Sequence, residues 1–291
     1  MLETVHDICS RIRHSPLLER QQWLWKGAEP YWQRFFELYS RQHGFQSRIN
    51  GDTFRLEYTL AARLDQRDPS VTDSLRPYEP FFYRAFVEML SEGMTVFDIG
   101  AHIGIFTLAA AKRVGRGGHV YAFEPSPETA RLLRRHIAFN GWQDRVRTVS
   151  AVVSDVNGTV PFYVHGISMS ASLSRQNVEL VSPERRDTPA TLVHVPSVTL
   201  DQFCAKRNIW PDVVKIDAEG AELHVLRGAK ELLLNKRITI LCEIHPTEMQ
   251  NCGSSLRDFE AYLESVGYTS QPVDEPSKLG IWHGLITRRA A

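Results

Sequence analysis

The stretch Val96-Phe97-Asp98-Ile99-Gly100-Ala101-His102-Ile103-Gly104-Ile105-Phe106-Thr107 constrains this chain more than any other. Val96 and Phe97 favour a strand, while Ile105, Phe106, Leu108 and Ala109 to Ala111 suit a buried helix, so the run predicts a strand turning directly into a helix. Gly100 at the bend can take backbone angles closed to other residues, and Gly104 removes a side chain where a ligand or a strand must come close. Such a turn aims free N–H groups and a helix N-terminus at whatever lies above the strand, which makes a nucleotide-like binding edge. Asp-x-Gly-x-x-x-Gly arises by chance in about one chain in fifteen, so its surroundings have to decide what it binds.

Three familiar alternatives fail on spacing. A dinucleotide fingerprint separates its first two glycines by one residue, whereas three separate Gly100 from Gly104. A phosphate loop needs Gly-Lys-Ser/Thr after the turn, and none follows. Asp98 and His102 interrupt the apolar run, which is also too short to span a bilayer.

With 291 residues, 43% of them hydrophobic, the chain can bury the core of one α/β domain with a modest added segment. Lys plus Arg and Asp plus Glu both number 34, which argues against nucleic acid or an anionic membrane as partner. Cys9, Cys204, Cys242 and Cys252 are scattered without a Cys-x-x-Cys pair, so neither a zinc site nor a disulfide framework is expected. No basic-then-apolar leader opens the sequence, and a reducing cytoplasm is the simplest location.

In chain order, residues 1 to about 45 read as helical, with Trp32, Phe35, Phe36 and Tyr39 on one face. Ordinary packing explains that stripe, with acceptor binding or a homodimer contact as the alternatives. Asn50-Gly51 between two β-forming runs predicts a hairpin, and polar residues 62 to 76 a connecting loop. Residues 1–77 are therefore expected to form a helical and hairpin extension, and 78–291 the main domain. There, a helix is expected from about Glu79 to Ser91, then strands at 96–98, 119–123 and 146–153, with helices between them. An added strand at 159–164 precedes an irregular loop from Gly166 to about Val193, read equally as acceptor binding or disorder. A capped helix follows at 199–208, a strand at 212–216, one helix to about Asn235, a strand at 238–242, a helix from Ser254 or Ser255 to Val266, and strands near 268–273 and 281–288. This alternation predicts a doubly wound, mainly parallel sheet.

Polar residues gather at the C-terminal ends of these strands, where open α/β sheets place their sites. Glu124 lies 20 residues beyond Gly104, where a carboxylate can accept from both hydroxyls of a ribose. Ser126 and Pro127 already cap the next helix, so Glu124 is not needed there. The end of the third strand, at Ser154-Asp155, would lie beside the base. Asp217 ends the fourth strand, with Glu219 and Glu222 following; these two could instead complement the positive helix start. Glu243 and His245 end the fifth.

At these residues the chain resembles the class I S-adenosylmethionine-dependent methyltransferases and, within them, the FkbM family. The matching residues are Asp98-Ile99-Gly100-Ala101 with Gly104 and Thr107, Phe123-Glu124-Pro125, Asn140-Gly141, and Lys215 to Glu222 with Leu226-Arg227-Gly228-Ala229. The likeness covers about residues 78 to 290. His102 departs from it, standing where the family pattern usually has Asn.

The resemblance implies a Rossmann-like seven-stranded sheet with its last strand antiparallel, and O-methylation of hydroxyls on sugars, glycans or natural products. It also implies that Asp98, Gly100, Ala101, His102, Gly104 and Thr107 surround the methionine end of S-adenosylmethionine. Glu124, with Pro125, would hold the ribose, and residues near Ala151 to Asp155, Ser154 and Asp155 among them, would flank the adenine, with Asp217 bordering the cofactor.

An alcohol acceptor needs a base. His245 is the first candidate, because imidazole titrates near neutrality, with Asp217, Glu219 and Glu243 as the others. Asp217 and Glu243 could instead hold Mg²⁺, a less favoured variant. A catalytically silent module that binds the cofactor or a glycan is the alternative function.

Overall fold

The computed structural model describes residues 31, 34, 35, 38, 43–57, 79–165, 171–181, 190–277 and 280–289. Trp32, Phe36 and Tyr39 of the expected aromatic face, and the expected loop at 62–76, lie outside the described residues. Phe35 is exposed.

By its contacts the chain divides into two units, Met1–Tyr83 with Arg135–Gly141 and Arg84–Arg134 with Trp142–Ala291. In the first, β1 (Phe45–Ile49) and β2 (Asp52–Leu56) form the antiparallel hairpin that Asn50-Gly51 predicts, both turn residues having positive φ. Asn140 ties this hairpin to the segment that carries it. Its side-chain amide receives the Arg55 N–H at 3.0 Å and donates to the Arg55 carbonyl at 2.9 Å, completing the edge as a neighbouring strand would. Tyr83 donates to buried Asp52, and the Gly44 backbone runs so close to the Phe139 ring that a Cβ would stand 2.7 Å from it.

The second unit holds a seven-stranded sheet. Its strands are β3 (Thr95–Ile99), β4 (His119–Phe123), β5 (Val146–Val149), β9 (Val213–Ile216), β10 (Thr239–Ile244), β11 (Tyr268–Pro272) and β12 (Trp282–Arg288). Their order is β5-β4-β3-β9-β10-β12-β11, and β12 is antiparallel to both its neighbours. The expected architecture is thus observed.

α1 (Pro80–Glu88) enters the sheet, α2 (Ile105–Val114) follows β3, and α3 (Pro127–Phe139) follows β4. The buried side of α2 is almost continuous, from Ile105 to Ala111, which explains why that stretch is apolar apart from Thr107. Phe97 and Phe123 of the sheet meet Phe203 edge-to-face, with centroids 5.7 and 4.9 Å away. Phe203 belongs to α5 (Leu200–Arg207), whose Thr199 cap accepts from the Gln202 N–H as the capping pattern predicts.

Four expectations are corrected. The run at 146–153 is two strands, β5 and β6 (Val152–Val153), because the chain leaves the main sheet at Ser150. β6 pairs instead with β8 (Thr191–Val198), which also pairs with β7 (Gly158–Val164) in a three-stranded sheet around Val152, Phe162, Val164 and Val195. Half of β8 is exposed and Pro196 interrupts it, so its sequence carries little strand signal. The stretch read as an irregular loop contains the start of β8 and α4 (Arg175–Val181).

The single helix expected up to Asn235 is α6 (Glu222–Arg227) and α7 (Lys230–Asn235). The break falls at Gly228, where a Cβ would stand 2.0 Å from the Ser154 carbonyl oxygen. Asp201 of α5 then caps α7, accepting from the Glu231 and Leu232 N–H groups at 2.9 and 2.8 Å. A short helix, α8 (Pro246–Asn251), starts directly after β10, before the expected α9 (Leu256–Ser265).

Candidate active site

The C-terminal ends of β3, β4 and β9, with Ala151 to Val153, border a cleft of about 670 Å³, counting space open to solvent. Its polar rim is Gly100, His102, Glu124, Asp217 and Glu219. Its apolar wall includes Phe123, Val153, Phe162 and Leu173. No Lys or Arg lines it among the described residues.

The turn after β3 is held by main chain. The Gly100 and Ala101 N–H groups both donate to the Phe123 carbonyl, at 3.1 and 3.0 Å. Gly100 has φ +75°, and a Cβ there would stand 1.9 Å from the Asp217 carbonyl oxygen, so this position admits only glycine. A Cβ at Gly104 would stand 2.5 Å from the Leu133 side chain, so the close approach there is made by α3. His102 has φ +49°, in the left-handed region where Asn and His are both enriched; this accounts for His standing where the pattern has Asn. Its N–H donates to Glu124 Oε2 at 2.9 Å, and the Ser126 N–H donates to Glu124 Oε1 at 2.8 Å. Each carboxylate oxygen of Glu124 keeps a further lone pair. Burial pushes its pKa up to about 7, against those two hydrogen bonds.

Asp98 lies beneath the turn and does not border the cleft. It accepts from the Thr107 hydroxyl and faces the Lys215 ammonium at 3.8 Å. Burial raises its pKa, with Lys215 and Thr107 partly offsetting this. Lys215 is 2% exposed and joins several parts: Asp217 at 3.0 Å, the Gly100 carbonyl at 3.3 Å, and the Phe106 ring 4.9 Å from its ammonium. No role was read from the sequence for Lys215; its signal was a lysine inside the apolar strand Val213-Val214-Lys215-Ile216.

Beyond β9 and β10 a second group assembles. β10 pairs Cys242 with Ile216, so continuing the register brings Glu243 beside Asp217, and the two-residue strand period puts His245 on the same face as Glu243. His245 Nδ1 is 2.8 Å from Glu222 Oε1, and its Nε2 is 3.8 Å from Glu243 Oε1. Donor atoms of Asp217, Glu243 and His245 all lie within 4.8 Å of one another.

Burial would raise Asp217, but Lys215 and His245 more than offset it and hold its pKa below the usual range. Burial also opposes charge on His245, yet Glu222, then Glu219 and Glu243, lift its pKa well above the usual histidine range. Burial pushes Glu219 up to about 8, against the attraction of His245.

Glu219 is held at φ +49° by its carbonyl, which accepts from Ser172 at 3.0 Å and from Asn177 at 2.9 Å. Glu222 accepts from the Gly220 N–H at the helix start, as expected of a carboxylate there, and also pairs with His245.

A family model described as Methyltransferase FkbM domain matches residues 98–270, more than half of the chain. The chain belongs to the FkbM methyltransferase family. A relative from Streptomyces tacrolimicus, 31-O-demethyl-FK506 methyltransferase FkbM, is 26% identical over 227 residues, covering 69% of this chain and 83% of the relative. The 2-O-methyltransferase NoeI of Sinorhizobium fredii is 26% identical over 169 residues, 53% of this chain and 65% of the relative. A crystal structure of Methyltransferase FkbM from Methylobacillus flagellatus KT is 16% identical, with a TM-score of 0.45, covering 67% of this chain and 44% of that one.

Within this FkbM domain the sequence-predicted residues separate into four places. Gly100, His102, Glu124, Pro125, Asp217 and Glu219 border the cleft, while Asp98, Ala101, Gly104 and Thr107 build the turn beneath it. Glu243 and His245 stand behind Asp217. Of the 151–155 stretch, Ala151 to Val153 line the cleft, whereas Ser154 and Asp155 border another contact, with Asp155 Oδ2 3.0 Å from His224 Nδ1. No helix among the described residues is long and apolar enough to cross a membrane.

Proposed function

We propose that this FkbM-family methyltransferase uses S-adenosylmethionine to methylate a hydroxyl of a sugar, glycan or natural product. The observation that carries the cofactor assignment is the lining of the cleft: among the described residues it has Asp217, held ionised, with the carboxyls of Glu124 and Glu219 and no Lys or Arg, which suits a sulfonium cation better than a dinucleotide's pyrophosphate. The names of both relatives, which specify 31-O and 2-O positions, support oxygen as the acceptor atom.

When bound, S-adenosylmethionine supplies the activated methyl group. Glu124 would accept from the ribose hydroxyls on its remaining lone pairs. Phe123, Pro125 and Ala151 to Val153 offer an apolar wall for the base. The turn built on Asp98, Ala101, Gly104 and Thr107 would hold Gly100 and His102 against the methionine end.

His245 carries its proton toward Glu222 and stands in a field that keeps it charged, which leaves it no lone pair for an acceptor proton. Glu219 borders the cleft, carries a raised pKa and takes the acceptor's O–H proton in this reading. The protein's remaining task is to hold both reactants in line at about 3–3.5 Å.

Calorimetry with S-adenosylmethionine, followed by labelled methyl transfer to a panel of sugars, glycans and polyhydroxylated natural products, tests this. The expected results are saturable binding, weakened about 10- to 100-fold by Glu124→Ala in a chain that still folds, and label on an acceptor oxygen. Unchanged affinity in that variant removes Glu124 from the ribose. Binding without transfer to any acceptor supports the silent binding module instead.

A further inference from the structure

We propose that Asp217, Glu243 and His245 form a three-ligand site for a divalent transition-metal ion, with Mn²⁺ and Zn²⁺ the favoured classes. The inference rests on the O-methyltransferase reading for the ion's purpose, though not for its binding. Two strand ends create the site, Asp217 following β9 and Glu243 and His245 lying on one face at the end of β10. Two donors about 2.1 Å from one ion stand at most about 4.2 Å apart. The 3.8 Å between His245 Nε2 and Glu243 Oε1 already fits that span, and the 4.8 Å limit on the whole set requires only a small contraction.

The histidine gives the second, independent observation. A metal-binding histidine almost always donates its other ring N–H to a carboxylate, which sets the tautomer and aims the ring. His245 has that arrangement: Nδ1 meets Glu222 Oε1 at 2.8 Å, and Glu222 is fully buried. Among the described residues Nε2 makes no hydrogen bond, although the side chain is only 3% exposed; it faces Glu243, and an ion binding there would displace the Nε2 proton and leave Nδ1–H on Glu222.

Asp217 gives one oxygen to Lys215 and has the other available. Among the described residues Asp98, Asp217, Glu219, Glu222 and Glu243 crowd around Lys215 and His245, with His283 Nε2 also 3.7 Å from Glu243 Oε1, and a dication would add positive charge among these carboxyl groups. One nitrogen and two carboxylates favour Mn²⁺ or Zn²⁺ over Mg²⁺, which prefers oxygen alone. An ion here would stand beside Asp217 at the cleft, where it lowers the pKa of an acceptor hydroxyl.

The test uses the full chain without a histidine tag, stripped with chelator. Mn²⁺ binding is followed by electron paramagnetic resonance and Zn²⁺ binding by calorimetry, with S-adenosylmethionine affinity measured on the same samples. One ion per chain is expected, weakened at least tenfold by Glu243→Gln and by His245→Gln, and about 10- to 100-fold by Glu222→Gln. Glu243→Gln is the variant least exposed to folding failure, since its carboxylate is not fully buried. No binding of either ion, or binding that survives both ligand substitutions, overturns the metal site. If S-adenosylmethionine still binds in that case, the methyltransferase reading stands alone; if it does not, that reading fails separately.

Discussion

The turn at Asp98–Thr107 and the cluster around His245 border one cleft but are built differently. The turn is held by main-chain groups and nearby partners: Gly100 and Ala101 on the Phe123 carbonyl, His102 and Ser126 on Glu124, Thr107 on Asp98. Its geometry follows from backbone angles that few residues adopt. The cluster has side chains from separate elements and an interdependent charge pattern: Glu222 holds His245, His245 and Lys215 hold Asp217, and burial keeps Glu219 protonated more readily than a free carboxylate. A substitution in the turn therefore changes shape, whereas one in the cluster changes proton or charge placement.

The largest expected effect sharpens the cluster's side of this contrast. Glu219→Gln keeps the side chain's size but removes the base, and kcat should fall about 10²- to 10⁴-fold while S-adenosylmethionine affinity stays within about twofold. A variant with full kcat would move the base elsewhere. Next comes Gly100→Ala, where the new Cβ collides with the Asp217 carbonyl in a left-handed backbone; a loss of about 3 kcal/mol in urea unfolding is expected, with cofactor binding abolished. An alanine tolerated here would show that the turn is not shape-limited.

A smaller effect lies in pH. Burial raises Glu124 from 4.5 to about 7, so the folded chain holds its proton more tightly than the unfolded one. That contribution to stability is fully present below 4.5 and is lost as pH rises through about 7. Ribose hydroxyls donate to the ionised form, so affinity should run the opposite way, about tenfold stronger at pH 8 than at pH 6. Calorimetry at both values checks this, and Glu124→Gln should flatten the difference. An unchanged slope in that variant would assign the titration to another group.

The smallest effect separates the cleft from its surroundings. Asp155 and His224 are both partly exposed, so Asp155→Ala should cost at most about 1 kcal/mol in a melting experiment and leave S-adenosylmethionine affinity unchanged. A tenfold loss of affinity would return Asp155 to the base-binding wall.

Legibility in the sequence followed the range of the interactions. β3, α2 and β4, the hairpin at Asn50-Gly51 and the Thr199 cap were all readable, because propensity, glycine spacing and capping act within a few residues. Gly228 read as one more residue of a helix, since the Ser154 carbonyl that forbids a side chain there comes from 74 residues earlier. That the Asn140 amide completes the hairpin edge depends on Arg55, 85 residues earlier.

By itself, the sequence determined the strand–turn–helix order, the glycine-only bend at Gly100 and the carboxylate at the next strand end, because backbone sterics and short-range hydrogen bonds decide these. Tertiary structure alone decided that Lys215 sits between Asp98 and Asp217, and that Glu222 and Glu243 face opposite nitrogens of His245. Strand register brings those groups together, and burial then sets which of them carries charge, a many-body effect that no local pattern encodes.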